Sequence, residues 1–281
     1  MLPLIMKIDE VFCNTFKAMR HELGQDGVRD MRPLWERRLS TASVFCRSLV
    51  ACGYLTEEQM QRAAMRYRLG MSRDGGVIFW QIDEREMLRD GKIMYYRPDC
   101  HRDHDRKPTW TNHLLRRCHQ VPEDWKPEHC LFGQHLLKAH PSPPEGRDVE
   151  LDNMTDLSAD LGNQTSLPLG GLGWAFRSSI AIVESEKTAV IMSEVMPEYV
   201  WLATGGKTEL SVAKLKPLAG RKVILFPDTD ETGDTYRDWY EVAEAAGDVF
   251  GHPVTVSSLL EQRATKAQKA AKIDIVDLIF E

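Results

Sequence analysis

The feature that most constrains this 281-residue chain is a short apolar run that ends in two acidic residues. Residues 223–226, Val-Ile-Leu-Phe, have the composition of a buried strand, and Asp228 and Asp230 follow closely. In an extended chain, residues two apart point to the same side, which predicts that these two carboxylates converge at one strand end. A matching apolar run, residues 180–183, ends in Glu184.

Strand and helix patterns alternate over residues 177–281, which predicts βαβ units and a compact Rossmann-like parallel sheet. The predicted strands cover 180–183, 199–203, 222–226 and 253–257, and the predicted helices cover 186–196, 208–215 and 232–247. Open α/β sheets bind ligands at the carboxyl edge of their strands. We therefore expect Glu184, Asp228 and Asp230 to meet at that edge. Crowded carboxylates favour a hard divalent cation such as Mg²⁺.

The chain upstream of this α/β unit has a different pattern. Residues 1–70 have helical periodicity, and residues 71–140 form an α+β region whose predicted hairpin joins strands 77–82 and 92–96. Residues 141–176 are acidic and rich in proline and glycine, which predicts a linker or insert. The predicted fold is therefore a helical and hairpin α+β region followed by a parallel α/β sheet.

Composition narrows the class of protein. No apolar run approaches the ~20 residues of a membrane span, and six cysteines without a CxxC pair indicate a reduced, cytoplasmic compartment. Residues 1–141 hold 23 Lys and Arg against 19 Asp and Glu, whereas residues 142–281 hold 13 against 23. An acidic half beside a mildly basic half suits a metal-dependent enzyme acting on nucleic acid. Two ordinary solvated surfaces explain the charge equally well.

Glu184, the Thr204-Gly-Gly206 turn and the Asp228-x-Asp230-x-x-Gly233 motif each follow their own strand, an order that resembles the topoisomerase–primase (Toprim) domain. The resemblance covers about residues 178–281. It implies that Asp228 and Asp230 bind Mg²⁺ or Mn²⁺. It also implies that Glu184 acts as a metal ligand or as general acid/base in phosphoryl or nucleotidyl transfer.

The chain departs from the primase-type Toprim pattern at Thr188, where those members commonly carry an aspartate. A candidate replacement lies near the end of the chain, in Asp274 and Asp277, which are spaced to share a helix face. These two residues are predicted metal ligands. The alternative is that they are merely exposed while neighbouring apolar residues pack inward.

Residues 85–117 hold nine Lys and Arg against five Asp and Glu, with aromatic residues nearby at Trp80, Tyr95, Tyr96 and Trp110. Such a mixture suits a groove that follows phosphates and stacks bases. The predicted nucleic-acid or nucleotide contacts are Lys92, Arg97 and Arg102 here, and Lys187 and Lys207 in the α/β half. The region resembles the small subdomain that precedes Toprim in bacterial primases. A solvated charged hairpin is the competing interpretation.

The whole chain is similar to an uncharacterised family of Toprim-bearing proteins carried on bacterial mobile elements. The activity of that family is not established, so this resemblance supports the fold. The leading hypothesis is a primase-like nucleotidyltransferase that makes primers on single-stranded DNA from nucleoside triphosphates, with a replicative helicase as a partner, because a helical and hairpin region precedes the Toprim-like part. The alternatives are a metal-dependent Toprim nuclease and a degenerate Toprim module that binds DNA without turnover. A topoisomerase is disfavoured, because 281 residues leave little room for strand-gate domains.

Overall fold

The structure, a computed structural model, describes residues 40–72, 74–117, 127–139 and 179–280. Most of the predicted N-terminal helical region and the predicted 141–176 linker therefore lie outside the described residues. The domain boundaries drawn from the sequence stay a prediction. Within the described ranges, no helix is both long and apolar enough to cross a membrane.

The first half forms a small antiparallel sheet with helices packed beside it. Its elements are α1 (Val44–Ala51), α2 (Glu57–Tyr67), β1 (Gly70–Met71), β2 (Val77–Ile82), β3 (Leu88–Met94), β4 (Thr109–Trp110), α3 (Thr111–Arg117) and a 3₁₀ segment (Gln134–Ala139). The strand order is β1-β2-β3-β4. Thr56 and Gln59 form a capping box at the start of α2. The predicted hairpin is present, but its second strand starts at Leu88, which pairs with Ile82.

The second half alternates strands and helices. Its elements are β5 (Ser179–Val183), α4 (Glu186–Val195), β6 (Tyr199–Ala203), α5 (Val212–Leu215), β7 (Val223–Phe226), α6 (Asp234–Phe250), β8 (Thr255–Val256), α7 (Leu259–Arg263), α8 (Lys266–Ala271) and α9 (Ile275–Phe280). All strand pairs are parallel, in the order β6-β5-β7-β8. The predicted parallel α/β sheet is thus confirmed. The predicted helix 208–215 is instead a 3₁₀ turn (Lys207–Glu209) followed by the short α5.

Side chains alternate across the parallel sheet, and both of its faces are covered. Ala181 and Val183 of β5 pack in a core with α4 and the C-terminal helices. Ile180 and Ile182 point to the other face and pack with α6, where Trp239 is buried. Strands covered on both faces read as continuous apolar runs, which is why β5 and β7 were recognisable in the sequence.

The two halves share one hydrophobic core. Phe79 of β2 and Tyr67 of α2 belong to the same buried cluster as Trp201 of β6. The Tyr67 hydroxyl donates to the Trp201 carbonyl at 2.7 Å. Phe132 and Ala203 exchange two backbone hydrogen bonds, which extends the sheet at β6 with a segment from the first half. The antiparallel sheet is therefore held against the carboxyl edge of the parallel sheet.

Candidate active site at the carboxyl edge

The parallel sheet has a switch point at β5, where the side on which the next strand is added changes. After β5 the chain crosses to β6 on one side, then returns to place β7 on the other side of β5. Such a switch point leaves a crevice at the carboxyl ends of the two strands, where open α/β sheets bind ligands. Val183 pairs with Phe226 in the last register position, so that Glu184 and Asp228 follow at this crevice.

Glu184 is half-buried at the end of β5. Burial raises its pKa above the ordinary value, while Lys207 and Lys92 act in the opposite direction and the Asp274 carboxylate adds to the rise. The carboxylate also accepts a hydrogen bond from the Lys207 backbone. A carboxyl group with a raised pKa is suited either to exchange a proton or to accept the charge of a cation.

Asp228 lies two residues beyond the end of β7. Burial raises its pKa well above the ordinary value, and the carboxylates of Asp274, Glu184 and Asp277 raise it further against the opposing charge of Lys187. Among the described residues, no hydrogen-bond donor contacts its side chain. Asp228 is therefore a carboxylate in an acidic surrounding whose charge lacks local hydrogen-bond compensation.

Asp230 has a different environment from Asp228, and the end of β7 is the structural reason. β7 ends at Phe226 and Pro227 follows, so that the alternation of an extended strand does not continue to residue 230. Asp230 accepts backbone hydrogen bonds at the start of α6 from Thr232 (3.1 Å), Asp234 (2.9 Å) and Thr235 (2.8 Å). The hydroxyls of Thr232 and Thr235 and the Lys207 ammonium also donate to it.

These bonds determine the charge state of Asp230. Burial by itself would raise its pKa, but the hydrogen bonds from Thr235, Asp234 and Lys207 hold it well below its usual range. Both carboxylate oxygens are already occupied by donors. Asp230 thus stabilises the loop that presents Asp228, and it is poorly placed to give an oxygen to a metal without breaking the helix start.

The C-terminal carboxylates have a similar structural role. Asp274 Oδ1 accepts from the backbone amides of Val276 (2.8 Å) and Asp277 (3.0 Å) at the start of α9. Asp277 Oδ2 returns a hydrogen bond to the Asp274 amide at 3.0 Å. This is a reciprocal cap of the kind that satisfies free amides at a helix start. The other Asp274 oxygen accepts from the Thr188 hydroxyl on α4. Neither aspartate is simply exposed, and both add negative charge around Asp228.

Lys92, a predicted nucleic-acid contact, lies at the candidate site, and the competing interpretation of a solvated hairpin does not describe it. Its ammonium contacts both oxygens of Glu186, at 3.0 and 3.2 Å, and the Gly205 carbonyl at 2.7 Å. The side chains of Lys92 and Glu186 are only 12% and 4% exposed. Gly205 has φ of 88°, and a Cβ there would lie 3.2 Å from Glu186 Oε1, so the turn requires glycine. The ion pair joins the antiparallel sheet to the candidate site.

The other predicted basic contacts divide into two groups. Lys207 pairs with Asp230 at 3.2 Å, and the charge of Lys187 acts on Asp228, so both belong to the carboxyl edge. Arg97 and Arg102 are exposed, and Arg97 pairs with Asp99 at 3.2 Å. These two arginines are not brought to the carboxylates by any contact in the described part of the chain.

Sequence reasoning missed three residues of this region. Glu186 is 3% exposed at the first position of α4, and its only sequence signal was an acidic residue in a helix's first turn. Thr188 was noted only as a departure from a motif. His129 gave no signal, because its contact with Asp90 joins residues 39 positions apart.

As they stand, no three or more His, Cys, Asp and Glu side chains among the described residues are grouped to hold a metal ion. The crevice nevertheless has one property that a cation would satisfy. Asp228 accepts no hydrogen bond from the described residues and lies in the field of three other carboxylates. Glu184 and Asp228 therefore fit a hard divalent cation as two oxygen ligands, whereas Asp230 and Asp274 are committed to helix starts.

A family model described as a domain of unknown function (DUF6371) matches residues 43–145 and 174–229, more than half of the chain. The chain belongs to this family. No curated protein and no solved structure matches it.

Proposed function

We propose that this member of a family of unknown function is a Toprim-type, metal-dependent nucleotidyltransferase that makes primers on single-stranded DNA. The observation that carries the proposal is the meeting of Glu184 and Asp228 at the switch point between β5 and β7. Two interacting carboxylates with raised pKa values are unfavourable in an apolar fold. Their position at the edge where open α/β sheets bind ligands supports a site for a cation and phosphates.

Each residue of the crevice has a chemical role in this proposal. Glu184 and Asp228 would hold Mg²⁺ or Mn²⁺, which when bound stabilises the attacking and leaving oxygens of an in-line displacement. Glu184 is the candidate to exchange a proton with the attacking hydroxyl, since its pKa is raised towards neutral pH. Lys187 and Lys207 supply positive charge beside the carboxylates and are the candidates to attract a triphosphate.

The basic α+β region supports the choice of nucleic acid as the partner. Arg97 and Arg102 are exposed in the segment between β3 and β4, and β3 is anchored to the crevice through Lys92 and Glu186. A single strand crossing this sheet would reach the carboxyl edge. Replication of a mobile element in the cytoplasm, with a replicative helicase, is the setting that the sequence resemblance implies.

A second candidate function is a Toprim module that binds DNA or nucleotides without turnover. One observation favours it: Asp230 and Asp274 are committed to helix starts, so that Glu184 and Asp228 are the crevice carboxylates that remain to bind a cation. Two ligands bind a divalent ion more weakly than three. The nuclease hypothesis uses the same residues but a different attacking group: water cleaves a phosphodiester, whereas in primer synthesis a sugar hydroxyl attacks a nucleoside triphosphate and pyrophosphate leaves.

The decisive experiment incubates the purified chain with single-stranded DNA, labelled nucleoside triphosphates and Mn²⁺ or Mg²⁺. Labelled oligonucleotides formed from the nucleoside triphosphates support primer synthesis, and shortened DNA supports a nuclease. Binding of DNA without either product supports the second candidate. Glu184→Gln and Asp228→Asn should each abolish turnover. Glu198→Gln, at an exposed glutamate outside the crevice, is the matched control and should keep full activity. Turnover that survives both crevice variants would overturn the proposal.

A further inference from the structure

We infer that Trp110 and His129 form a preformed stacking platform for a nucleobase beside the carboxyl-edge crevice. This inference rests on the proposed function and names the part of the substrate that the first half of the chain would recognise. The two rings are parallel to within 17°, with centroids 4.4 Å apart. Both side chains are half-buried rather than enclosed in a core.

The register of the antiparallel sheet places this pair next to the crevice. Trp110 of β4 is the direct partner of Lys92 on β3, and paired residues project from the same face of a sheet. The Lys92 ammonium reaches Glu186 and the Gly205 carbonyl at the crevice. A base on the platform would therefore lie on the face that leads to the carboxylates.

An electrostatic effect on Glu209 also places His129 on the side of the crevice. The pKa of the Glu209 carboxyl is lowered. The hydrogen bond from Lys214 is the largest cause, burial opposes it, and the charges of His129 and Lys92 lower the pKa further. Glu209 ends the 3₁₀ turn that begins with Lys207. His129 and Lys92 thus lie within electrostatic reach of one carboxylate in the segment that also supplies Lys207.

Asp90 fixes the platform in place. Its side chain is fully buried and accepts hydrogen bonds from His129 Nε2 (3.0 Å), the Thr111 hydroxyl (2.6 Å), and the amides of Gly91 (2.8 Å) and Asn112 (3.0 Å). The Asn112 side chain donates to it as well. An imidazole held by a saturated buried carboxylate and by a stacked indole has little rotational freedom. Such preorganisation lowers the entropic cost of binding a flat ligand.

The other aromatic residues of this region do not offer the same surface. Trp80 is fully buried, and Tyr96 packs on Phe45 at 4.8 Å. The Tyr95 ring is covered by the Arg106 guanidinium, 3.5 Å from its centroid. Of the four aromatic residues named for the predicted basic groove, Trp110 is therefore the one that is stacked in a pair and still partly open to solvent. Neither the Trp110 indole N–H nor His129 Nδ1 has a hydrogen-bond partner among the described residues.

A nucleobase is the ligand that fits these properties, because every base has a flat π-face and its phosphates would lie towards the lysines. The base belongs either to the incoming nucleotide or to the single strand. Stacking on an aromatic side chain contributes about 5- to 150-fold in affinity per base, as judged by alanine substitution.

The test measures binding, so it does not depend on turnover. Fluorescence anisotropy compares labelled oligo-dT with an abasic strand of equal length, and competition compares a nucleoside triphosphate with tripolyphosphate. The wild-type chain should prefer at least one base-bearing ligand by about 5- to 150-fold. Trp110→Ala and His129→Ala should reduce that preference, whereas Trp110→Phe should keep most of it. Whichever comparison loses its preference identifies the source of the base.

Tyr240→Ala is the matched control, because Tyr236 and Tyr240 form another stacked pair, 6.3 Å apart on α6 and away from the antiparallel sheet. It should leave the preference unchanged. Equal affinity for base-bearing and base-free ligands, or a preference unaltered by Trp110→Ala, would overturn the inference even if primers are made. A different result would separate the two proposals. If binding depends on the base but no turnover depends on Glu184 and Asp228, the proposed function is overturned and the inference about the platform is kept.

Discussion

Thr188 donates its hydroxyl hydrogen bond to Asp274, 86 positions later in the chain. Both side chains are buried, at 0% and 8% exposure. Under the proposed Toprim interpretation an aspartate is common at this position, and here the carboxylate of the residue that precedes α9 lies against Thr188. The contact joins α4 to the C-terminal helix and adds a negative charge next to Asp228. The acidic character of the crevice is thus supplied partly from another element.

Asp228→Asn should stabilise the folded chain at neutral pH when divalent metal is absent. The folded-state pKa of Asp228 is raised above the unfolded value of about 3.9, so its ionisation disfavours the native state. The gain should be present at pH 7 and shrink to zero as the pH falls below that unfolded value. Urea unfolding at pH 7 and at a pH below the unfolded pKa measures this gain in unfolding free energy. Asp248→Asn, at an exposed aspartate, is the control. An equal gain at both pH values would contradict the assigned cause.

Asp230→Asn should have the opposite effect and cost about 3 kcal/mol of unfolding free energy at neutral pH, since it loses several charge-assisted hydrogen bonds. The folded-state pKa of Asp230 is lowered, so its contribution is complete above the unfolded value of about 3.9 and is lost as the pH falls towards the folded one. Thermal unfolding of the two single variants side by side distinguishes them. A stable Asp230→Asn variant would mean that the loop is held by other contacts.

Lys92→Met should destabilise the chain by about 3–5 kcal/mol, because it leaves the buried Glu186 carboxylate without its partner. The double variant Lys92→Met with Glu186→Met should recover most of that loss, since an apolar pair avoids the desolvation cost. A double-mutant cycle by urea unfolding measures the coupling. Additive single effects would show that the pair does not connect the two sheets energetically.

Thr188→Asp, which introduces the residue that the proposed Toprim interpretation expects at this position, should be less stable at neutral pH than Thr188→Asn. The new carboxylate would face Asp274 and add to the charge around Asp228. The difference between the two variants should narrow in acid and on addition of Mg²⁺ or Mn²⁺. Thermal midpoints across a metal titration give the result. A difference between the two midpoints that changes neither in acid nor with metal would argue against a cation site.

Replacing both Arg97 and Arg102 by alanine should flatten the dependence of log affinity for single-stranded DNA on log salt by about 1.4, at about 0.7 per phosphate contact. Exposed Arg263→Ala, on α7, is the charge control. Anisotropy at several salt concentrations gives the slopes. An unchanged slope would restrict nucleic-acid binding to the carboxyl edge. Lys92 is left out of this set because its charge is already paired with Glu186.

The sequence by itself determined the parallel sheet and the strand ends that carry Glu184 and Asp228. Strands covered on both faces must be continuously apolar, and a carboxylate after such a run marks the place where the chain leaves the core. The capping box of α2 and the β2–β3 hairpin were also predictable, for a related reason. Their signals come from neighbours within a few residues, whose geometry the backbone fixes locally.

Only the tertiary structure decided which carboxylates are occupied and which charges are paired. The spacing of Asp228 and Asp230 gave no indication that Pro227 ends the strand and that Asp230 is saturated at the start of α6. The partners of Lys92, Thr188 and His129 lie between 39 and 113 positions away. Contacts over such separations depend on how the two sheets pack, which no local pattern encodes.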